Sequence, residues 1–197
     1  MNGFVALVHG HVNVNDIATI VEIGSHDGRD AVTLKRAFPL ARCIAIEGDP
    51  VTFAAVTGSA IEGVEWVQAI IGARNAEAIW YRQITAPMIS GLYDRGLPGM
   101  QPFSCIVTRF DTLAKALNLA SAHILKVDVE GATYDVLCGM GMLLDSVKAM
   151  HIETETFPYF RNQTLEEPSI ALLTQHGFRC VRRENDLEQW DSVWIRS

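Results

Sequence analysis

Three carboxylates stand where a folded chain could use them for proton chemistry. Asp128 and Glu130 close the apolar stretch His123–Val129, and Glu153 stands near the end of Val147–Thr154. Acids at the mouths of two neighbouring strands can orient a substrate hydroxyl and take its proton. They can also hold a divalent cation through oxygen ligands, or neutralise Lys126 and nearby arginines. All three uses are open on the residues alone. Lys126, Asp128 and Glu130 share one parity, as do His151, Glu153 and Glu155, so each set is expected on one side of a sheet. A lysine inside a buried strand needs a partner, and Glu22, Asp128 and Glu153 are the candidates.

A second group surrounds the turn in Thr19–Asp30, TIVEIGSHDGRD. An apolar run ends in Glu22, and Gly24, Ser25, His26, Asp27 and Gly28 form a tight turn into a helix. Open α/β sheets hold nucleotide-like ligands on such turns, where backbone approaches closely and the helix start offers free N–H donors. Glu47 closes the next strand nineteen residues past Gly28, the place of a carboxylate that accepts ribose hydroxyls. A pyrophosphate favours closely spaced glycines with no acids nearby. Glu22 and Asp27 flank this turn, so the electrostatics favour a cationic sulfonium donor over NAD. His26, inside the turn, is expected in a structural or cofactor contact, and no histidine or cysteine shows metal-ligand spacing, so no metal site built on them is expected.

These groups need a scaffold whose strand ends converge. Strand-like and helix-like segments alternate, which predicts an α/β fold with a mostly parallel sheet. Strands are expected at Ala18–Ile23, Arg42–Ile46, Val64–Ile71, His123–Val129 and Val147–Thr154. Helices are expected at Gly28–Phe38, Val51–Ser59, Asp111–Asn118 with Asp111 as N-cap, Ala132–Leu144 and Leu165–His176. The alternation breaks at 77–110, read as a β-hairpin insertion (Ala78–Ile84 with Ser104–Phe110) carrying a long mobile loop. Phe178–Arg183 and Gln189–Arg196 are expected to close the chain as an antiparallel pair, and residues 1–16 form a lead-in. A single domain of 197 residues is expected.

Bulk properties narrow the partners. A net charge of −7 and no basic cluster longer than Arg182–Arg183 argue against nucleic acid and anionic membrane. No apolar run reaches the roughly 18 residues of a membrane span. The start lacks a basic n-region and a small-residue cleavage site, so the expected location is cytoplasmic. The four cysteines have no CxxC or regular spacing and read as small apolar side chains.

With VEIGSHDG, IEGDP, LKVDVEGATYDVLCGM and HIETE in this order, the chain resembles the FkbM-type family of S-adenosylmethionine-dependent methyltransferases over about Ile17–Ile195. The resemblance implies a Rossmann-like class I methyltransferase fold, with a seven-stranded, mostly parallel sheet whose last strand is antiparallel. It implies O-methylation of hydroxyls on a sugar, glycan or natural product. By position, Glu22–Gly28 would wrap the methionine part of the donor and Glu47 the ribose. Gly48 would contact the donor, Asp49, Ala69 and Ile70 would lie near the adenine, and Asp128 and Glu130 would face the methyl. Ser25-His26 replaces the middle of the family's usual G-A-N-x-G turn, and Ala132-Thr133 stands where an alanine and an acid are common. The acceptor pocket is expected from the loop Ala86–Pro102 and Phe157–Arg161, with Tyr93, Tyr159 and Arg161 as contacts. Two rivals are a catalytically silent donor-binding or scaffold subunit and an NAD-dependent oxidoreductase; oligomeric state is not legible.

Overall fold

The computed structural model describes residues 1–58, 63–186 and 188–197. In chain order it runs α1 (Asn2–His11), β1 (Thr19–Ile23), α2 (Arg29–Ala37), β2 (Arg42–Glu47), α3 (Pro50–Thr57), β3 (Val64–Gln68) and β4 (Ile70–Ile71). Then follow β5 (Ala76–Gln83), β6 (Met100–Thr108), α4 (Phe110–Ala116), β7 (Ile124–Val127), α5 (Thr133–Gly139), β8 (Ala149–Glu155), α6 (Glu166–Gln175), β9 (Phe178–Asp186) and β10 (Gln189–Arg196). The main sheet has the order β3-β2-β1-β7-β8-β10-β9, and β10 lies antiparallel to both β8 and β9. The other pairings are parallel. This is the expected seven-stranded sheet.

The central strands are apolar on both faces because helices cover both. Val21, Ile23, Ile44, Ile46, Leu125 and Val127 face a core closed by α4, α5 and α6. Ile20, Cys43, Ala45 and Ile124 face the other core, closed by α2 and by α1 through Phe4 and Val8. The lead-in is therefore a packed helix. Its apolar residues give it a place in the core that its weak periodicity does not announce.

The strand order reverses between β1 and β7, and their carboxyl ends open a crevice there. Parallel register puts Glu22 opposite Lys126, and Lys126 opposite His151. Three ionisable side chains thus form a row across one face.

The structure corrects several expected boundaries. The strand read as Val64–Ile71 breaks at Ala69, whose N–H turns back to the Glu47 carbonyl at 3.2 Å. Its last two residues become β4, which joins β6 and β5 in a separate three-stranded sheet. The insertion is the expected hairpin, displaced to Ala76–Gln83 and Met100–Thr108. Its connection is pinned to β5 by a two-bond bridge between Tyr81 and Gly91. Asp111 is not an N-cap: α4 begins at Phe110, and the Asp111 carboxylate instead accepts the Arg109 guanidinium. The strand expected to reach Val129 stops at Val127, and Glu130 adopts a positive φ of 50°. Parity therefore does not govern Glu130. The helix expected to reach Leu144 ends at Gly139 and continues as a 3-10 turn, Gly141–Ser146. The end of α3 expected at Ser59 lies outside the described residues.

Candidate active site

The turn after β1 is built by backbone closure. The N–H groups of Gly24 and Ser25 both donate to the Ile46 carbonyl at 3.0 Å, and Gly28 N–H donates to Ser25 O at 2.8 Å. Asp128 N–H donates to Ile23 O at 3.0 Å, which brings the β7 exit against the turn. Gly24 has φ 84°, and a Cβ there would lie 1.7 Å from the Asp128 carbonyl oxygen. Only glycine fits.

Glu47 locks this turn to the next one. Its Oε2 accepts the His26 N–H at 2.8 Å and its Oε1 accepts the Asp49 N–H at 2.7 Å. Burial pushes its pKa up, and the two backbone donors act against that shift. The carboxylate is fixed in orientation, yet each oxygen keeps acceptor capacity.

Glu47 borders a narrow slot of about 60 Å³ that Gly24, Gly48, Ala69, Ile70 and Trp80 also line. A second compartment of about 290 Å³ adjoins it, bordered by Glu22, Ser25, Asp27, Lys126 and Asp30. Gly24, His26, Met88, Asp128 and Glu130 border both, so the two form one bent cleft at the carboxyl ends of β1, β2 and β7. Cleft volumes of roughly 300–1,000 Å³ are those of small-molecule sites. Five acids, Glu22, Asp27, Asp30, Asp128 and Glu130, border the wider compartment against two bases, Arg29 and Lys126. An elongated ligand with a cationic centre and a flat apolar end suits such a cleft. A pyrophosphate does not.

Beneath the turn, Lys126 is almost fully buried and lies 3.0 Å from Asp128, 3.1 Å from Asp30 and 3.5 Å from Glu22. Burial works against its charge, but Asp128, Glu22 and Asp30 outweigh it and hold its pKa above the usual ammonium range. Glu22 also accepts Ser25 Oγ at 2.6 Å and Ala31 N–H at 3.0 Å. Its pKa is pushed up to about 7, by burial first, with Lys126 and Ser25 opposing. Lys126 therefore ties the strand exit, the turn and the start of α2 together. Of the partners expected for it, Glu22 and Asp128 serve, Glu153 does not, and Asp30 is an addition.

Asp128, Glu130 and Glu153 converge. Each offers an oxygen, and these atoms lie within 4.8 Å of one another, a spacing that one acceptor hydroxyl or one cation could bridge. Their environments differ. Asp128 is paired with Lys126, and Glu130 faces Arg95 Nη1 at 3.4 Å. Burial and Asp128 push Glu130 up to about 7, with Arg95 opposing. Burial, then Asp128, Glu130, Glu155 and Asp191, push Glu153 up to about 9. Near neutral pH, Glu153 thus holds a proton while Glu130 is poised to take one.

The remaining expected residues fall in different places. Asp49 does not border the slot: its Oδ1 caps α3 through the N–H groups of Val51 and Thr52, and its Oδ2 lies 2.9 Å from Arg82. Asp27 accepts the Arg29 N–H at the exposed edge. Tyr93 donates to Asp135, and Arg161 pairs with Asp94 at 3.1 Å. Both border a groove of about 740 Å³ that Leu92 separates from the slot. Tyr159 donates to Glu188 at 3.1 Å.

Besides Asp30, Arg95 and Trp80 escape sequence reasoning. Arg95 stacks over Tyr159 and Phe160, at 5.5 and 5.1 Å from the ring centroids, while reaching Glu130. Trp80 lines the slot from the inserted hairpin. A lone arginine in a glycine-rich loop and one aromatic in a strand carry no spacing signal. The fold alone brings them in.

Comparison with known proteins places this geometry. The family pattern described as "Methyltransferase FkbM domain" matches residues 98–180, which include β7, the Asp128–Glu130 exit and β8. No curated protein sequence matches the chain. Among solved structures, the methyltransferase FkbM from Methylobacillus flagellatus KT is similar at 13% identity and a TM-score of 0.57. The match covers 91% of this chain but 44% of that one, so the chain spans less than half of that protein's length. The fibrillarin pre-rRNA processing protein of Methanococcus jannaschii has 11% identity, covers 100% and 74% of the two chains and gives a TM-score of 0.57. The precorrin-6y C5,15-methyltransferase of Geobacter metallireducens GS-15 has 11% identity, 98% and 87% coverage and a TM-score of 0.53. At such identities the likeness is one of fold, and the fold is the Rossmann-like class I methyltransferase sheet. With the family pattern across residues 98–180 and this shared sheet, the chain is similar to the FkbM-type methyltransferases.

Proposed function

We propose that the protein transfers a methyl group from S-adenosylmethionine to a hydroxyl of a sugar, glycan or hydroxylated natural product. The observation that carries this reading is Glu47, held by the His26 and Asp49 N–H groups on the wall of a slot that Gly24 also lines. In that position its free lone pairs can accept two vicinal hydroxyls, as a ribose presents them. Gly48, Ala69 and Ile70 continue the slot as an apolar surface for a purine. The acid-rich compartment on the other side of Gly24 suits an ammonium and a sulfonium.

Once bound, the donor supplies an electrophilic methyl at its sulfonium. The chain's own part is to hold the acceptor oxygen in line and to remove its proton. Positioning contributes most of the acceleration in such displacements. Glu130 is the proposed base, being partly buried, poised near neutrality and oriented by Arg95. Glu153, protonated near pH 7, donates to the acceptor oxygen or a neighbouring hydroxyl. The three converging acids support a hydroxylated acceptor, since hydroxyls suit carboxylates. The groove bearing Tyr93 and Arg161 would take the remote part of a larger acceptor.

The test is release of S-adenosylhomocysteine with a panel of sugars, polyols and amines. Transfer is expected to hydroxyl acceptors, with the rate rising through about pH 7 as Glu130 ionises. Glu130→Gln should lower turnover about 10²–10⁴-fold and flatten that limb, with donor affinity within about threefold. Full turnover by Asp128→Asn, Glu130→Gln and Glu153→Gln alike would reject the acid assignment. Transfer to amines alone would reject the O-methyl reading, and tight donor binding without any transfer would favour a silent subunit.

A further inference from the structure

One residue lining the slot, Trp80, belongs to the insertion rather than to the main sheet. Trp80 is on β5, its side chain nine-tenths buried in a small cluster with Ile70 and Val107 and packed beside Phe103, its cross-strand partner. The benzene edge of its indole approaches Gly48 so closely that a Cβ at position 48 would lie 2.9 Å from Cη2 and 3.1 Å from Cζ3. The same Cβ would lie 3.0 Å from Ile70 Cγ1. Gly48 has no positive φ to demand glycine. Its missing side chain is instead the space into which the indole edge fits. Gly48 and Trp80 therefore meet directly on the wall of the slot.

We propose that Trp80 determines which base the donor can carry, by forming the end wall against which the purine stops. This rests on the donor reading above. With the ribose at Glu47 and the base running past Gly48, Ala69 and Ile70, the ring edge remote from the ribose meets the indole. In adenine that edge bears the exocyclic amine. The wall accepts an unsubstituted amine and rejects a bulky group on it. Because β5 and β6 pair along their length and β6 also holds β4, the wall is braced against the strand that carries Ile70.

The experiment titrates S-adenosylhomocysteine and its N6-benzyl analogue into the wild-type chain and into Trp80→Phe, Trp80→Leu and Trp80→Ala. The wild type should bind the parent compound and take the benzyl analogue at least about 30-fold more weakly. Trp80→Phe should keep the parent affinity within about threefold, because a flat wall remains. Trp80→Ala should lose about tenfold or more for the parent while binding the benzyl analogue as well as or better than the parent. Trp80→Leu, closer in volume and less damaging to the small core, should show the same reversal of preference in a chain whose urea midpoint confirms folding. The proposal is overturned if the wild type accepts the benzyl analogue as readily as the parent. It is also overturned if a folded Trp80→Leu or Trp80→Ala chain keeps the wild-type preference. Failure of the wild type to bind the parent at all rejects the donor reading itself, which separates the two failures.

Discussion

Gly24→Ala should abolish donor binding and leave a chain that melts well below the wild type. A Cβ at this position would lie 1.7 Å from the Asp128 carbonyl oxygen, and the residue's φ of 84° is one that alanine adopts only under strain. The clash is backbone against side chain, so no rotamer relieves it. Neither side can yield cheaply. The turn is anchored to β2 by two N–H bonds to Ile46 O, and the Asp128 backbone is anchored to Ile23 O. A left-handed non-glycine residue costs about 1–3 kcal/mol, and separating β1 from β7 adds to it. A loss of about 3 kcal/mol lowers the melting temperature of a chain this size by about 6–12 °C. The same displacement moves His26, Glu47 and Asp128 relative to one another, so affinity for S-adenosylhomocysteine should fall at least about 100-fold, since ångström-scale misplacement has effects of that order. A thermal melt and a calorimetric titration measure the two effects. A variant that melts like the wild type and binds within tenfold would mean that the turn is not the tight cradle described.

Lys126→Met should be the most destabilising substitution in the site. Breaking a buried ion pair by removing one partner costs about 3–5 kcal/mol, because the other charge stays buried and uncompensated. Here Glu22 is the orphan, about 1% exposed, while Asp30 and Asp128 have access to water. The pH dependence carries a definite sign. The folded-state pKa of Glu22 is about 7, above its ordinary 4.5, so the native state holds a proton that the unfolded state lacks between those values. Stability from this group is therefore full below pH 4.5 and declines as pH rises toward 7. Without Lys126 the folded pKa rises further and the decline extends to higher pH. Urea unfolding should give a deficit near the full value at pH 8 and a clearly smaller one at pH 5. An equal deficit at both would mean that the methionine disturbs packing and that the charge network contributes little.

Much of the fold was legible because its signals are local. Buried strands such as Thr19–Ile23 and Arg42–Glu47 are continuous apolar runs, and Gly28 and Pro39 bracket α2. What failed was whatever depended on long-range partners. Nothing within Val64–Ile71 says that Ile70 and Ile71 will pair with Val107 and Thr108 in another sheet. Asp111 failed for a local reason instead: α4 starts one residue before it, and Arg109, two residues away, takes its carboxylate. Parity failed at Glu130 for a similar reason: the strand ends at Val127 and a left-handed residue re-aims the chain. Glu130 still reaches Asp128 and Glu153, but through the turn.

The site divides the same way. Glu22, Gly24, Glu47, Gly48 and Asp128 were marked by residue type at strand ends, and the structure gathers them around one cleft. Asp49 was marked by the same reasoning and turned to capping α3, because an acid before Pro50 is also the commonest helix start. Asp30, Arg95 and Trp80 enter from a helix face, a loop and an inserted strand, where one residue carries no periodic signal.

The central claim is that the bent cleft holds a sulfonium donor with its ribose at Glu47. Calorimetric titration of S-adenosylhomocysteine and of NAD into the wild type and Glu47→Gln tests it most directly. The account predicts one-to-one binding of S-adenosylhomocysteine to the wild type, weakened at least about tenfold by Glu47→Gln, with no heat from NAD. Equal binding of S-adenosylhomocysteine by both chains, or binding of NAD in its place, would contradict it.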